Sequence, residues 1–259
     1  MNLIVAEYAG IGFNEYALRM IPIAIVGWVT AYAVLRAVFR RQLHSADAGK
    51  TGSIAVPRLS RPGRQFLAVM VVALGCYPAL SYAGGPVWAV AAASATLGIW
   101  LCWQHRLTGP GRLAAAVSWE ILIFLFCIFI IVLGLRNVGL ADRIADLYSC
   151  ASSSAVQVVL IGISSALGSA VLNNHPMAIL NALAIRNLPE GTQQLVLAAL
   201  IGGPRLLPMG SLAGLLWLDS LRRQGVHICT SDFFLVGLPV TIPTLGLSLM
   251  ILLLGNAAH

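Results

Sequence analysis

Apolar runs, each closed by a short polar break, recur along the whole chain. Met20 to Phe39 is the first long run, ended by Arg36, Arg40 and Arg41. Gln42 to Arg64 is polar, holds Gly, Ser and Pro, and predicts a loop. Runs at 66–83 and 87–103 flank Gly84-Gly85-Pro86, a turn short enough to predict an antiparallel helical hairpin. Gln104 to Ala116 reads as a short loop, and Trp119 to Leu135 as the fourth run. Asp142 to Tyr148 is a short amphipathic stretch, and residues 233–254 form the last run. The long runs approach the roughly 20 residues that a helix needs to cross a bilayer.

Two segments depart from this pattern. Ser154 to Leu172 is apolar but interrupted by Ser164, Ser165, Gly168 and Ser169, and it ends in Asn173-Asn174-His175-Pro176. A second apolar piece, Met177 to Leu188, follows at once. Pro176 disfavours the helical conformation at the residue before it and suits the first turn of a new helix. Residues 154–188 therefore predict a re-entrant helical hairpin with a polar tip. Residues 192–221 are broken by Gly202-Gly203-Pro204-Arg205-Leu206-Leu207-Pro208-Met209-Gly210-Ser211, which no continuous helix accommodates. Non-helical backbone at membrane depth persists only where protein or a wet cavity satisfies it.

Composition narrows the class. Of 259 residues, 59% are apolar and only 10% charged, with a mean hydropathy of +0.87. Soluble domains carry about 25% charged residues, so a cytosolic enzyme, a nucleic-acid-binding module and a disordered chain are all excluded. The expected fold is an all-α polytopic membrane protein. The net charge of +7 then reads as topology. Loops 36–64, 104–118 and 219–232 hold 11 Lys/Arg, against four (Arg19, Arg136, Arg143, Arg186) on the other side, with Arg205 in the break. Basic loops stay cytoplasmic, and this count works only if 154–188 enters and leaves on the outer side. Cys76, Cys102, Cys127, Cys150 and Cys229 show neither disulfide nor zinc spacing. The first twelve residues include Glu7 and lack a basic region, so no signal peptide is expected. No H-E-x-x-H, G-x-S-x-G or paired intramembrane carboxylates occur, which argues against an intramembrane enzyme. No cofactor or metal is expected.

A broken helix and a hairpin with polar tips point to the substrate site of a secondary transporter. Asn173 and Asn174 both donate and accept, so they suit a polar solute, and capping of two half-helices is the alternative. His175 at the tip reads equally as a proton-sensing or a hydrogen-bonded structural group. In the break, Pro208, Gly210 and Ser211 offer unwound backbone and a hydroxyl. Arg205 there reads as an attractor of anions, the partner of a carboxylate, or a snorkelling cation. Glu120 reads as an interfacial cap or as a coupling carboxylate.

Several stretches stand out together: Glu7-Tyr8, Gly10-Ile11-Gly12-Phe13, Glu15-Tyr16-Ala17, Trp119-Glu120-Ile121-Leu122, Gly134-Leu135-Arg136-Asn137 with Gly139-Leu140, and Asn173-Asn174-His175-Pro176-Met177. Gly203-Pro204-Arg205 and Pro208-Met209-Gly210-Ser211-Leu212-Ala213 to Leu215-Leu216-Trp217 complete the set. With these the chain resembles the arsenite/antimonite efflux pumps of ArsB type, within the ion transporter superfamily. The resemblance implies export of arsenite or antimonite in exchange for protons, in the inner (plasma) membrane. It implies as partners the bilayer and a missing transporter half or an ATPase subunit, and no nucleic acid. It covers the later of two inverted halves. Residues 1–41 then end the first-half repeat with its last span at 20–39. Residues 42–65 form the cytoplasmic basic loop, and 66–259 the second-half repeat. The earlier spans and the first hairpin are expected to be missing, leaving the chain alone with one wall of a site. The family's acidic or amide residue before the break has no counterpart in Ala199-Leu200-Ile201-Gly202-Gly203-Pro204. Leu207 replaces a Thr and Cys127 a Gly. A same-fold transporter for sodium or a dicarboxylate, and a non-transporting membrane subunit, are the competing readings.

Overall fold

The computed structural model describes residues 2–42, 59–116, 119–186, 188, 192–203, 207 and 210–257. Its helices are α1 (Asn2–Tyr8), α2 (Phe13–Val38), α3 (Arg61–Tyr82), α4 (Trp88–Gln104), α5 (Pro110–Ala116) and α6 (Trp119–Asn137). They continue as α7 (Leu140–Ser149), α8 (Ser154–Leu172), α9 (Asn174–Ile185), α10 (Thr192–Ile201), α11 (Leu212–Arg223) and α12 (Thr230–Ala257). The chain divides into two compact units, one of Met1–Ile11, Glu15–Ala46 and Phe126–His259, the other of Gly12–Asn14 and Asp47–Leu125.

In the second of these, α3 and α4 pack as a hairpin. Gly84 takes φ +71°, the Gly85 N–H reaches back to Leu80 O and the Gly84 N–H to Ser81 O. This pair of bonds closes the helix end, and only a residue free to be left-handed permits it. Ser60 caps α3 by accepting from the Gly63 N–H at 3.3 Å. The stretch expected as a loop at 104–116 contains the helical turns of α5. Pro110 opens them with φ already fixed, the run Leu113-Ala114-Ala115-Ala116 continues them, and the Leu113 N–H donates to Gly109 O at 3.0 Å.

The first unit is organised around α10. α8, α9 and α10 pack on one another, α12 lies against α10 and α8, α1 touches α9 and α10, and α7 lies on α9. Residues Gln194 to Ile201 are all buried. The sequence expected an amphipathic stretch at 142–148, and α7 there turns Ala141, Ala145 and Tyr148 inward. Away from this core the large side chains point outward: Trp28, Leu74, Trp103, Phe126 and Leu235 are all more than half exposed. Such a surface is stable only in hydrocarbon. Four helices among the described residues are long and apolar enough to cross a bilayer: α2, α3, α8 and α12. α6 and α7, bent by 66°, make a fifth crossing if read as one. The protein is an all-α, multi-pass, membrane-embedded chain.

Candidate functional site

The hairpin tip is built on one residue. Asn173 ends α8 and starts α9 in a backbone conformation of φ +79° and ψ 152°, a region that residues with a Cβ rarely occupy. Its N–H donates to Ser169 O at 3.1 Å, and its carbonyl accepts from the Met177 N–H at 3.2 Å. Its side-chain Oδ1 accepts from the His175 N–H at 3.2 Å and lies at the same distance from His175 Nδ1. Asn173 thus acts as a cap, and His175 is hydrogen-bonded within the tip. The chain doubles back here. Ser165 and Asn181, equally far from Asn173 in sequence, meet at 3.0 Å, and Gly168 lies against Met177. α8 is roughly 28 Å long and α9 roughly 18 Å, from 19 and 12 residues at 1.5 Å each.

Asn174 does something else. A Cβ placed on Gly203 would stand 3.4 Å from Asn174 Oδ1, so the amide faces the start of the break. Half-buried, it makes no hydrogen bond among the described residues. Ser169, one turn before Asn173, is fully buried and its hydroxyl has no partner among the described residues. In an apolar surrounding each unmade bond costs about 1–3 kcal/mol, which a polar solute or water removes. Gly202 brings the broken helix onto α8: a Cβ there would overlap Gly162 O and come within 2.6 Å of Ser165 Cβ. The hairpin tip and the helix break, far apart in sequence, therefore adjoin.

A buried chain of hydrogen bonds supports this junction. The Tyr148 hydroxyl donates to Asn181 Oδ1 at 2.7 Å and lies 2.9 Å from Ser164 Oγ. Asn181 Nδ2 donates to Ser165 Oγ at 3.0 Å, and the Ser165 hydroxyl to Ala199 O at 2.6 Å. Ala199 O is among the last carbonyls of α10, which lack a helical donor, and Ser165 supplies one. The sequence reading did not single out Tyr148 or Asn181. The available signal was Asn181 itself, an amide inside an otherwise apolar half-helix.

The remaining sequence candidates separate. Gly210 is buried and donates to Leu207 O at 3.1 Å. Ser211 caps α11, its Oγ accepting from the Gly214 N–H at 3.4 Å. Glu120 lies in the first turn of α6, its side chain outside the description, and Arg205 and Pro208 lie outside the described residues. No cluster of His, Cys, Asp or Glu among the described residues has the arrangement of a metal site.

Comparison with known proteins covers the same stretch. The family described as arsenical pump membrane protein matches residues 1–255. An arsenical pump membrane protein of Escherichia coli is 27% identical over 98% of this chain and 62% of its own length. One from Yersinia enterocolitica gives the same figures. A 46 kDa membrane protein of Mycobacterium leprae is 23% identical over 95% of this chain and 60% of its own. The chain thus spans less than two thirds of the length of these relatives. No solved structure matches it.

Proposed function

Because the chain belongs to the arsenical pump membrane protein family, we propose that it forms the solute-handling part of a secondary transporter that exports arsenite or antimonite in exchange for protons. The observation that carries this reading is the meeting of Asn174 with Gly203, where the hairpin tip adjoins the helix break, together with a Ser169 hydroxyl one turn before the tip that has no partner among the described residues. A neutral trihydroxide leaving water needs several hydrogen bonds replaced at once. Asn174 and Ser169 supply uncommitted donors and acceptors, and Ser211 and the backbone of the break are the further contacts assigned to the same site. The hairpin of α8 and α9 is assigned to the outer face and the basic loops to the cytoplasm, by the distribution of Lys and Arg. Glu120 and Arg205 are assigned roles in charge coupling, and His175 a place at the solute-facing tip.

The test is arsenite accumulation by everted vesicles under an imposed pH gradient. The chain is expressed together with the part of the Escherichia coli relative that lies outside the matched region. Gradient-dependent accumulation is expected. Asn174→Ala should lower it about 5-fold or more at equal membrane level, the loss set by one buried polar partner. Wild-type accumulation in both Asn174→Ala and Ser169→Ala removes the site assignment. Accumulation indifferent to the gradient removes proton exchange.

A further inference from the structure

A cavity lined by other residues adjoins the end of α10 that meets the tip. It measures about 560 Å³ and lies among α1, α2, α10 and α12. Leu200 and Ile201 wall it next to Gly202, and Asn2, Tyr16 and Thr244 are its polar lining. Asn2 on α1 and Tyr16 on α2 both line it. On α12, Thr241, Thr244 and Ser248 recur at a spacing that places them on one helix face. Their exposures are 4%, 2% and 0%.

These hydroxyls are not equivalent. Thr244 commits its proton to Val240 O at 2.7 Å and keeps its lone pairs as acceptors. Ser248 Oγ and Thr241 Oγ1 have no hydrogen-bond partner among the described residues, and Thr241 lines a separate cavity between α8 and α12. Ser248 Oγ stands 3.8 Å from the position a Cβ on Gly27 would take, and Gly27 lines the cavity. The lining holds no charged side chain. An ion entering would lose its hydration with no counter-charge, whereas a neutral solute with several hydroxyls exchanges water for protein hydroxyls and an amide. At about 30 Å³ per water, the space holds such a solute with water around it.

We propose that this cavity is a second binding station for a small, uncharged, multiply hydroxylated solute such as arsenous acid. The solute sits between the Thr244 hydroxyl of α12 and the Asn2 and Tyr16 side chains, beside the broken end of α10, with Ser248 backing the wall behind Gly27. The identity of the solute rests on the arsenical reading above, and the station rests on residues that the tip does not use.

The test is saturation binding of radiolabelled arsenite to the purified full chain in detergent, after N-ethylmaleimide has blocked the exposed thiols. Thr244→Val keeps the volume and removes the hydroxyl, Ser248→Ala removes one oxygen, and Gly27→Leu fills the space. Each is expected to weaken binding about 5-fold or more, while Thr244→Ser binds as the wild type does. Circular dichroism and elution volume identify any variant that fails to fold, and Thr244→Val, which removes a lining hydroxyl at constant volume, is the deciding one. Wild-type affinity in Thr244→Val and Ser248→Ala overturns the station, as does a wild-type chain without saturable binding. Asn174→Ala is measured in parallel. Unchanged binding there, with weakened binding in Thr244→Val, removes the tip and keeps the cavity, and the reverse pattern removes the cavity and keeps the tip.

Discussion

At Asn173, backbone and side chain make opposing demands. The backbone there, at φ +79° and ψ 152°, favours glycine, while the side chain caps α9 through the His175 N–H. Substitution separates the two. Asn173→Gly keeps the conformation at no steric cost and loses the cap. Asn173→Ala loses the cap and keeps the strain, which costs about 1–3 kcal/mol. The Ala variant should therefore melt below the Gly variant in detergent, and equal melting temperatures would show that the tip is unstrained. Gly202 presents the simpler case. Its would-be Cβ overlaps Gly162 O, a backbone atom that cannot rotate away. Gly202→Ala should push α10 off α8 and lower the apparent melting temperature more than Gly246→Ala, where a Cβ meets nothing within 4 Å.

The elements are joined by Asn181, which links α7, α8 and, through Ser165, α10. Asn181→Leu leaves the Tyr148 hydroxyl without its acceptor and Ser165 without a donor, at a cost of about 1–3 kcal/mol. Tyr148→Phe removes one of the same bonds. The two changes combined should cost less than their sum, by about 0.5–3 kcal/mol, in a thermal double-mutant cycle. Strict additivity would mean that the three helices are not coupled there. This network also marks how far the sequence could be read. Asn173, Pro176 and the glycines of the break announce themselves, because Pro and Gly act on their own backbone. The tie from Asn181 to Ser165, or from Tyr148 to Asn181, depends on which segments fold together, and local pattern does not carry that. The same limit hid α5, whose capacity to form helix lay in three consecutive alanines within a segment read as loop. The hydroxyl stripe of α12 was present as a three-and-four spacing, but such residues become legible only once one face is known to be buried.

For the whole molecule, the proposed orientation has two native reporters outside the long apolar helices. Cys150 closes α7 and Cys229 precedes α12, and both are exposed. With each left as the only cysteine, a membrane-impermeant maleimide should label Cys150 in intact spheroplasts and Cys229 in everted vesicles alone. Labelling of both from one side would sink the orientation drawn from the basic loops. The Ser231 hydroxyl and N–H donate to Cys229, holding its thiol below the ordinary range, while Asp232 opposes them. A lowered thiol pKa keeps the thiolate populated to lower pH. The labelling rate of Cys229 should thus fall off at lower pH than that of a free thiol, and Ser231→Ala should move that fall upward. No upward movement would show that Ser231 does not govern the thiol.

The burial of α10 has a consequence for how the protein is made. With ten residues it reaches roughly 15 Å, about half the hydrocarbon thickness, and residues Gln194 to Ile201 are walled in by other helices. A segment this short gains too little from lipid to leave the translocon alone, and its end carbonyls have no lipid-side donor until Ser165 arrives. α8, at 19 residues, is long and apolar enough to cross a bilayer. The expected order of assembly is that α8 inserts first, α9 folds back on it, and α10 enters after them, into a slot that they have shaped.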